Sequence, residues 1–367
     1  MMNWIAERTR AFDSSGIRKV FDLAAKLEDP INLSIGQPDF EVPGEVKQAC
    51  QTAIEENKNG YSLTQGLPAL QSKLQRRVDE QYGHADRKVI VSSGTSGVLE
   101  LNMLSEVNTG DEVNIFDPYF VMYGPLVELV GGRPILIDTY PDFAIDLATV
   151  EAAVTSKTKM ILLNSPGNPT GATVPESEVR QLAQLAREKG ILLVSDEIYR
   201  EFCYDGPLVS PAQFNDETLV IDGFSKSHAM TGWRVGFVHG PSELIDTMIK
   251  LQQYTFVCAP QPAQWASLVA MDVDVSNLVD AYRSKRDRLI NGIQDLYEVA
   301  VPGGAFYAFP KAPFGSGDEF VARAIENNLL VIPGSIFSNR DSHFRISYAA
   351  TDEMIDRGIE VLRRLAS

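Results

Sequence analysis

The stretch KVIVSSGTSGVLELNMLSEV, residues 88–107, decides the fold class. KVIVSS (88–93) is rich in β-branched residues and apolar without alternation, as a strand covered on both faces should be. GTSGVLELNMLSEV, which follows, carries its apolar residues at helical spacing. The same texture continues toward residue 260. EVNIFDP (112–118), RPILIDT (133–139), KMILLNSP (159–166), GILLVSDE (190–197) and LVIDGFS (219–225) are further strand candidates. PESEVRQLAQLAREKG (175–190) reads as a helix, with Pro175 near its start, Glu residues next, and Lys189 and Gly190 closing it. Alternation of this kind implies an α/β fold with a mostly parallel sheet flanked by helices.

After about residue 260 the texture changes. A helical segment over 276–298 precedes PGGAFYAFP (302–310), a helix near 318–328, then LLVIPG (329–334) and FRISYA (344–349). This predicts a smaller α+β domain. The first forty residues hold a helix over 17–28 and an extended SIGQPDF (34–40), and they are expected to pack with that second domain. The expected division is 40–260 for a large domain, with 1–39 and 261–367 forming a small one from both chain ends.

Composition narrows the function classes. The chain has 367 residues, 44% hydrophobic and 22% charged, enough to bury a large core without disulfides or metal. Thirty-three basic against forty-nine acidic residues give a net charge of −16. That excludes a general nucleic-acid binder and docking on anionic lipid. Cys50, Cys203 and Cys258 are isolated, and the four histidines have no metal-binding spacing, so reduced thiols and no metal are expected. The opening MMNWIAERTRAFDSS has no continuous apolar segment, and no stretch approaches the ~18 apolar residues of a membrane span. The expectation is a cytoplasmic protein.

Five segments carry candidate chemistry. In DGFSKSHAMTGWRVGF (222–237), Lys226 follows an apolar strand among small hydroxyl residues, with Arg234 eight positions on. A lysine is most often a solvated surface charge. This setting instead desolvates the amine and lowers its pKa, as a Schiff-base lysine requires. Ser225, Ser227 and Arg234 are suitable donors for a phosphate monoester. SSGTSG (92–97) places Thr95 and Ser96 at a helix N-terminus, either an anion site or an ordinary strand–helix turn. NSPGNPTG (164–171) is a Pro/Gly turn in which the Asn168 amide is free to bind a phenolic oxygen. In LLVSDEIY (192–199), Asp196 ends an apolar strand, a costly place for a carboxylate unless it meets a cation such as a protonated pyridine nitrogen. Tyr199 is three residues further. Arg345, inside the apolar FRISYA, is either half of a buried ion pair or a bidentate carboxylate receptor. Together these groups describe pyridoxal 5′-phosphate (PLP) and a substrate with a carboxylate.

The chain resembles the class I/II aminotransferases of the aspartate aminotransferase fold, the fold type I PLP enzymes. The likeness runs through SIGQPDF, YSLTQG (61–66), SGTSG, DPYF (117–120), NSPGNPTG, DEIY, SKSHAMTGWRVG, PGGAFYAFP, VIPGSIF (331–337) and FRISYA, in the family's order. It implies a large domain with a seven-stranded, mostly parallel sheet. It implies that Lys226 is the Schiff-base lysine and proton carrier, that Asp196 pairs with the pyridine nitrogen, and that Tyr199 and Asn168 bind the phenolic oxygen. Phe120 would stack on the ring, while Thr95, Ser96, Ser225 and Arg234 would hold the phosphate. Arg345, Asn168 and the backbone of Gly36 would take the substrate carboxylate. Tyr61 resembles the tyrosine that relatives send to the partner's phosphate, implying a homodimer with shared active sites. The implied reaction moves an amino group between an L-amino acid (aspartate, or an aromatic or broad range, with glutamate) and a 2-oxo acid such as 2-oxoglutarate. Thr95 and Ser96 stand where strict aspartate enzymes often carry a lysine, and SGIRKVFDLA (15–24) resembles broader-range relatives. A β/γ-elimination lyase of the same fold shares these motifs. A ligand-binding regulator on this fold would need an added DNA-binding domain, for which the chain has no spare length.

Overall fold

The computed structural model describes residues 4–10, 12, 16 and 27–366. Most of the helix expected over 17–28, and most of SGIRKVFDLA, lies outside the described residues. The first strand, β1 (Ile31–Asn32), belongs to a small sheet. The large sheet holds β2 (Lys88–Ser92), β3 (Glu112–Asp117), β4 (Arg133–Asp138), β5 (Thr158–Asn164), β6 (Leu192–Asp196), β7 (Leu219–Gly223) and β8 (Gly236–Gly240). Its order is β2-β8-β7-β6-β5-β3-β4. All neighbours are parallel except β8, which runs against both β2 and β7. The six strands expected from their apolar runs are β2–β7, each within about two residues of its expected bounds.

The lack of alternation in those runs has its cause in burial on both faces. Along β5, Met160 and Leu162 pack in one apolar cluster with helices Gly94–Glu106 and Ser242–Gln252. Ile161 and Leu163 pack in another with helix Glu176–Lys189. That helix is capped as its sequence suggests, with Pro175 before it and Gly190 after it in the left-handed conformation at φ 64°.

Beyond residue 300 lie β9 (Tyr307–Ala308), β10 (Leu329–Leu330), β11 (Ile332–Pro333) and β12 (Phe344–Ser347). β1 pairs in parallel with β10, and β11-β12-β9 form an antiparallel sheet. These strands share one core with helices Ser276–Ile293, Gly317–Glu326 and Asp352–Ala366. The first of these helices stops five residues short of its expected end, where Tyr297 turns in to donate to the Leu362 carbonyl at 2.8 Å. Helix Gln261–Ala270 packs instead with helices Gly44–Glu55 and Pro68–Tyr82, on the large-sheet side. Among the described residues no helix is long and apolar enough to cross a membrane, and no His/Cys/Asp/Glu group could hold a metal ion.

Candidate active site

Parallel strands deliver their following loops to one edge of the sheet, where α/β proteins hold ligands. Here that edge borders a cavity of about 280 Å³. Thr95 and Ser96 reach it from the first turn of the helix after β2, Phe120 after β3, Asn168 after β5, Asp196 and Tyr199 from the end of β6, and Ser225 and Lys226 after β7. The reversal of β8 adds a further group. Gly223 and Gly236 face each other across the β7–β8 pair, so residues 224–235 make one excursion that returns Arg234 to the edge it left at Lys226. The spacing of seven residues between Lys226 and Arg234 is therefore a property of that excursion. Gly36, after β1, and Arg345, in β12, close the cavity from the other side. A larger cavity of about 520 Å³ lies beyond the 223–228 turn and shares only Ile198 with this one.

Arg234 sits in the left-handed region at φ 56° and donates to the carbonyls of Thr231 (2.8 Å) and Ser93 (3.4 Å). Gly94, at φ +71°, has no room for a side chain because a Cβ there would collide with the Arg234 guanidinium. Helix Gly94–Glu106 begins at this point with no side-chain cap, leaving its first amides for an anion. Ser225 Oγ is buried and has no hydrogen-bond partner among the described residues. These donors make a cradle suited to a phosphate.

Asp196 ends β6 between Asn164 of β5 and Ile221 of β7. It is buried, and its carboxylate is held by two neutral donors: the Tyr123 hydroxyl at 2.8 Å and the Ile198 amide at 3.2 Å. Burial pushes its carboxyl up to about 6 against the pull of those hydrogen bonds. The Lys226 amine donates to the Gly36 carbonyl at 2.6 Å. Burial, then the charges of Arg345 and Arg234, bring it down to about 8, with Asp196 opposing.

Arg345 is 1% exposed. One η-nitrogen donates to Asn168 Oδ1 (3.0 Å), the other to the Ser34 carbonyl (2.9 Å), and Nε has no partner among the described residues. The sequence left an ion pair and a carboxylate receptor open. Its hydrogen bonds among the described residues go to two neutral oxygens, which leaves three of the five guanidinium N–H donors uncommitted there. A carboxylate in the cavity would meet that remaining fork.

The structure thus brings together eleven of the thirteen expected residues: Gly36, Thr95, Ser96, Phe120, Asn168, Asp196, Tyr199, Ser225, Lys226, Arg234 and Arg345. Two fall outside: Ser227, offered for the phosphate, lines the larger cavity instead, with its hydroxyl 2.8 Å from His228 Nδ1, and Tyr61 is 85% exposed. Sequence reading missed Tyr123 and Tyr307, both lining the cavity. Tyr123 falls three residues after Phe120, and Tyr307 lies within the quoted PGGAFYAFP, so their segments were visible but their roles were not.

Residues 28–362 match the family described as aminotransferase class I and II. The chain belongs to that family. A probable aspartate aminotransferase of Methanocaldococcus jannaschii is 37% identical over 98% of this chain and 99% of its own length. The aspartate/prephenate aminotransferase of Thermus thermophilus is 34% identical over 99% of both. The solved structure of Thermus thermophilus aspartate aminotransferase with maleate superposes with a TM-score of 0.94 at 33% identity, covering 99% of this chain and 100% of that one. The enzyme is an aminotransferase of this fold, and these matches do not favour the elimination lyase that the motifs left open. The family implies PLP as cofactor.

Proposed function

We propose that the chain is a PLP-dependent aminotransferase moving an amino group between an L-amino acid (aspartate or an aromatic one, with glutamate) and a 2-oxo acid such as 2-oxoglutarate. The observation that carries this reading is Asp196, a buried carboxylate at the cavity edge whose hydrogen-bond donors among the described residues are both neutral, facing the space into which Lys226 and Ser225 also open. A buried ionised carboxylate is stable only beside a cation, and the ring nitrogen of PLP is one. When bound, PLP supplies an electron sink for the bond broken at the substrate's α-carbon.

The chain's own groups then have distinct tasks. Lys226 Nζ would hold the cofactor, and its buried amine would carry the α-proton. Asp196 would keep the ring nitrogen protonated. Tyr199 and Asn168 would donate to the phenolic oxygen, Phe120 would pack against the ring face, and Thr95, Ser96, Ser225 and Arg234 would hold the phosphate. Arg345, with Asn168 and Gly36, fixes the carboxylate. We further assign two lobes. One, over about 40–260, is built on the large sheet, where helix Gln261–Ala270 also packs. The other comes from 1–39 and the rest of 261–367. Free thiols at Cys50, Cys203 and Cys258 fit a reducing, cytoplasmic setting. A panel of amino donors with 2-oxoglutarate tests the reaction. Release of ammonia without formation of glutamate would refute it.

Arg345→Lys is expected to raise the KM for amino and 2-oxo acids roughly tenfold to a hundredfold, the cost of one or two charge-assisted hydrogen bonds. One ammonium cannot serve Asn168, Ser34 and a carboxylate with the geometry of a planar fork. PLP affinity should stay within about twofold. Unchanged KM for every substrate would make Arg345 structural.

The active form is a homodimer in which Tyr61 serves the partner's phosphate site. Its loop is tied down: Gln264 donates to Ser62 Oγ at 3.0 Å, Gln252 to the Thr64 carbonyl, and Val91 N to the Gln65 carbonyl at 3.0 Å. An exposed tyrosine on an anchored loop suits a task outside its own chain. Mixing Tyr61→Phe with Lys226→Ala subunits gives hybrids whose intact-lysine sites receive a wild-type Tyr61 from the partner. PLP affinity at those sites should recover from the Tyr61→Phe value. No recovery, or a fully active monomer in sedimentation and assay, would show that Tyr61 serves its own chain or none.

A further inference from the structure

We infer that Tyr307 is a positioning residue that couples the carboxylate receptor Arg345 to the phenolic-oxygen ligand Tyr199. The inference rests on the PLP reading above. Tyr307 lies in β9 opposite Ser347 of β12, so Arg345, two residues from Ser347, is its diagonal neighbour on the same sheet face. The Arg345 guanidinium packs over the Tyr307 ring, 4.6 Å from its centre. The Tyr307 hydroxyl lies 2.8 Å from the Tyr199 hydroxyl, which comes from the end of β6 in the large sheet. Gly36 is packed onto the same phenol, since a Cβ there would stand 2.8 Å from Tyr307 Oη, and the Gly36 carbonyl takes the Lys226 amine. One side chain therefore touches the residues that take the substrate carboxylate, the phenolic oxygen and the lysine's resting contact.

The two hydroxyls share their protons in one direction once Tyr199 is engaged. Tyr199 has a single proton, and donating it to the cofactor leaves its oxygen as an acceptor. Tyr307 then supplies the second proton, and a donor that itself accepts a hydrogen bond donates more strongly. The charged groups facing the pair are Arg345, which packs on Tyr307, together with Asp196 and Lys226 around Tyr199. None of them can replace a neutral hydroxyl at that distance.

The test separates hydroxyl from ring. PLP-loaded wild type, Tyr199→Phe, Tyr307→Phe and Tyr307→Leu are titrated by the visible absorbance of the bound cofactor, and KM is measured for one amino donor. A weaker donor leaves the phenolic oxygen less stabilised as an anion, so the pH midpoint of the band should rise. Tyr199→Phe sets the full rise. Tyr307→Phe should raise the midpoint by part of it, about half to one pH unit, as expected for one neutral hydrogen bond, with KM within about twofold because the ring under Arg345 remains. Tyr307→Leu should raise the midpoint and also raise KM roughly fivefold or more, the size of an exposed-to-buried cation–π contact. An unmoved midpoint in Tyr307→Phe, where Tyr199→Phe moves, overturns the inference alone. No cofactor band in wild type, or no response of Tyr199→Phe, overturns the PLP reading and this inference with it.

Discussion

Lys226→Ala is expected to abolish transamination while leaving PLP bound. The loss should reach several orders of magnitude, because the variant removes both the covalent anchor and the group that carries the proton. The phosphate donors are elsewhere: Ser225 precedes the lysine, Arg234 is fixed on Thr231 and Ser93, and Thr95 and Ser96 stand on the helix after β2. The amine is suited to its task by burial rather than by any single partner. A group titrating at about 8 is unprotonated roughly one time in ten at pH 7. An ordinary lysine near 10.5 would be so about once in three thousand. Lys226→Arg, which retains the charge but cannot lose its proton near neutrality, should be as inactive as the alanine variant. Cofactor retained after gel filtration is read from absorbance and turnover from a coupled assay. Activity within about a hundredfold of wild type would remove Lys226 from its assigned role.

The parallel strands were legible because their burial on both faces writes itself into the chain as continuous apolar runs. β8 was not. GFVHG begins and ends in glycine and carries His239, so it reads as loop, and only its pairing with both β2 and β7 makes it a strand. Asp196 and Arg345 were legible because each is a polar group misplaced by local rules, one ending an apolar strand and the other inside one, whereas Phe120 and Gly36 came only from the family resemblance. Tyr123 and Tyr307 break no local rule. A tyrosine in an aromatic-rich segment is ordinary core material, and what sets these two apart is contact across 73 residues with Asp196 and 108 with Tyr199. Tyr61 is the opposite case, a residue recognised by motif whose place in a single chain is the surface. Neither partner of the β1–β10 pair, each two residues long, could be told from loop by its own pattern.

Asp196→Asn should act in opposite directions on the fold and on the reaction. In the protein without cofactor, the Asp196 carboxyl titrates at about 6 against an ordinary 3.8, chiefly because burial penalises its charge. The sign follows from proton counting. Between about pH 4 and 6 the folded state holds a proton that the unfolded state has released, so stability falls as pH rises through that window and stays lowered above it. The cost at pH 7.5 is on the order of 3 kcal/mol. Asparagine removes it and keeps both hydrogen bonds. Its oxygen can accept from the Ile198 amide while its NH₂ donates to Tyr123, whose hydroxyl turns to accept. The cofactor-free variant should therefore melt several degrees above wild type at pH 7.5, with the gap closing toward pH 4. With PLP the order reverses in function: a neutral amide cannot hold the ring nitrogen's proton, and turnover should drop by several orders of magnitude. Melting curves across pH on cofactor-free protein and turnover on loaded protein read the two arms separately. A near-normal turnover number would refute the pairing with the ring nitrogen. Equal melting temperatures at pH 7.5 would show that the buried carboxylate costs the fold nothing.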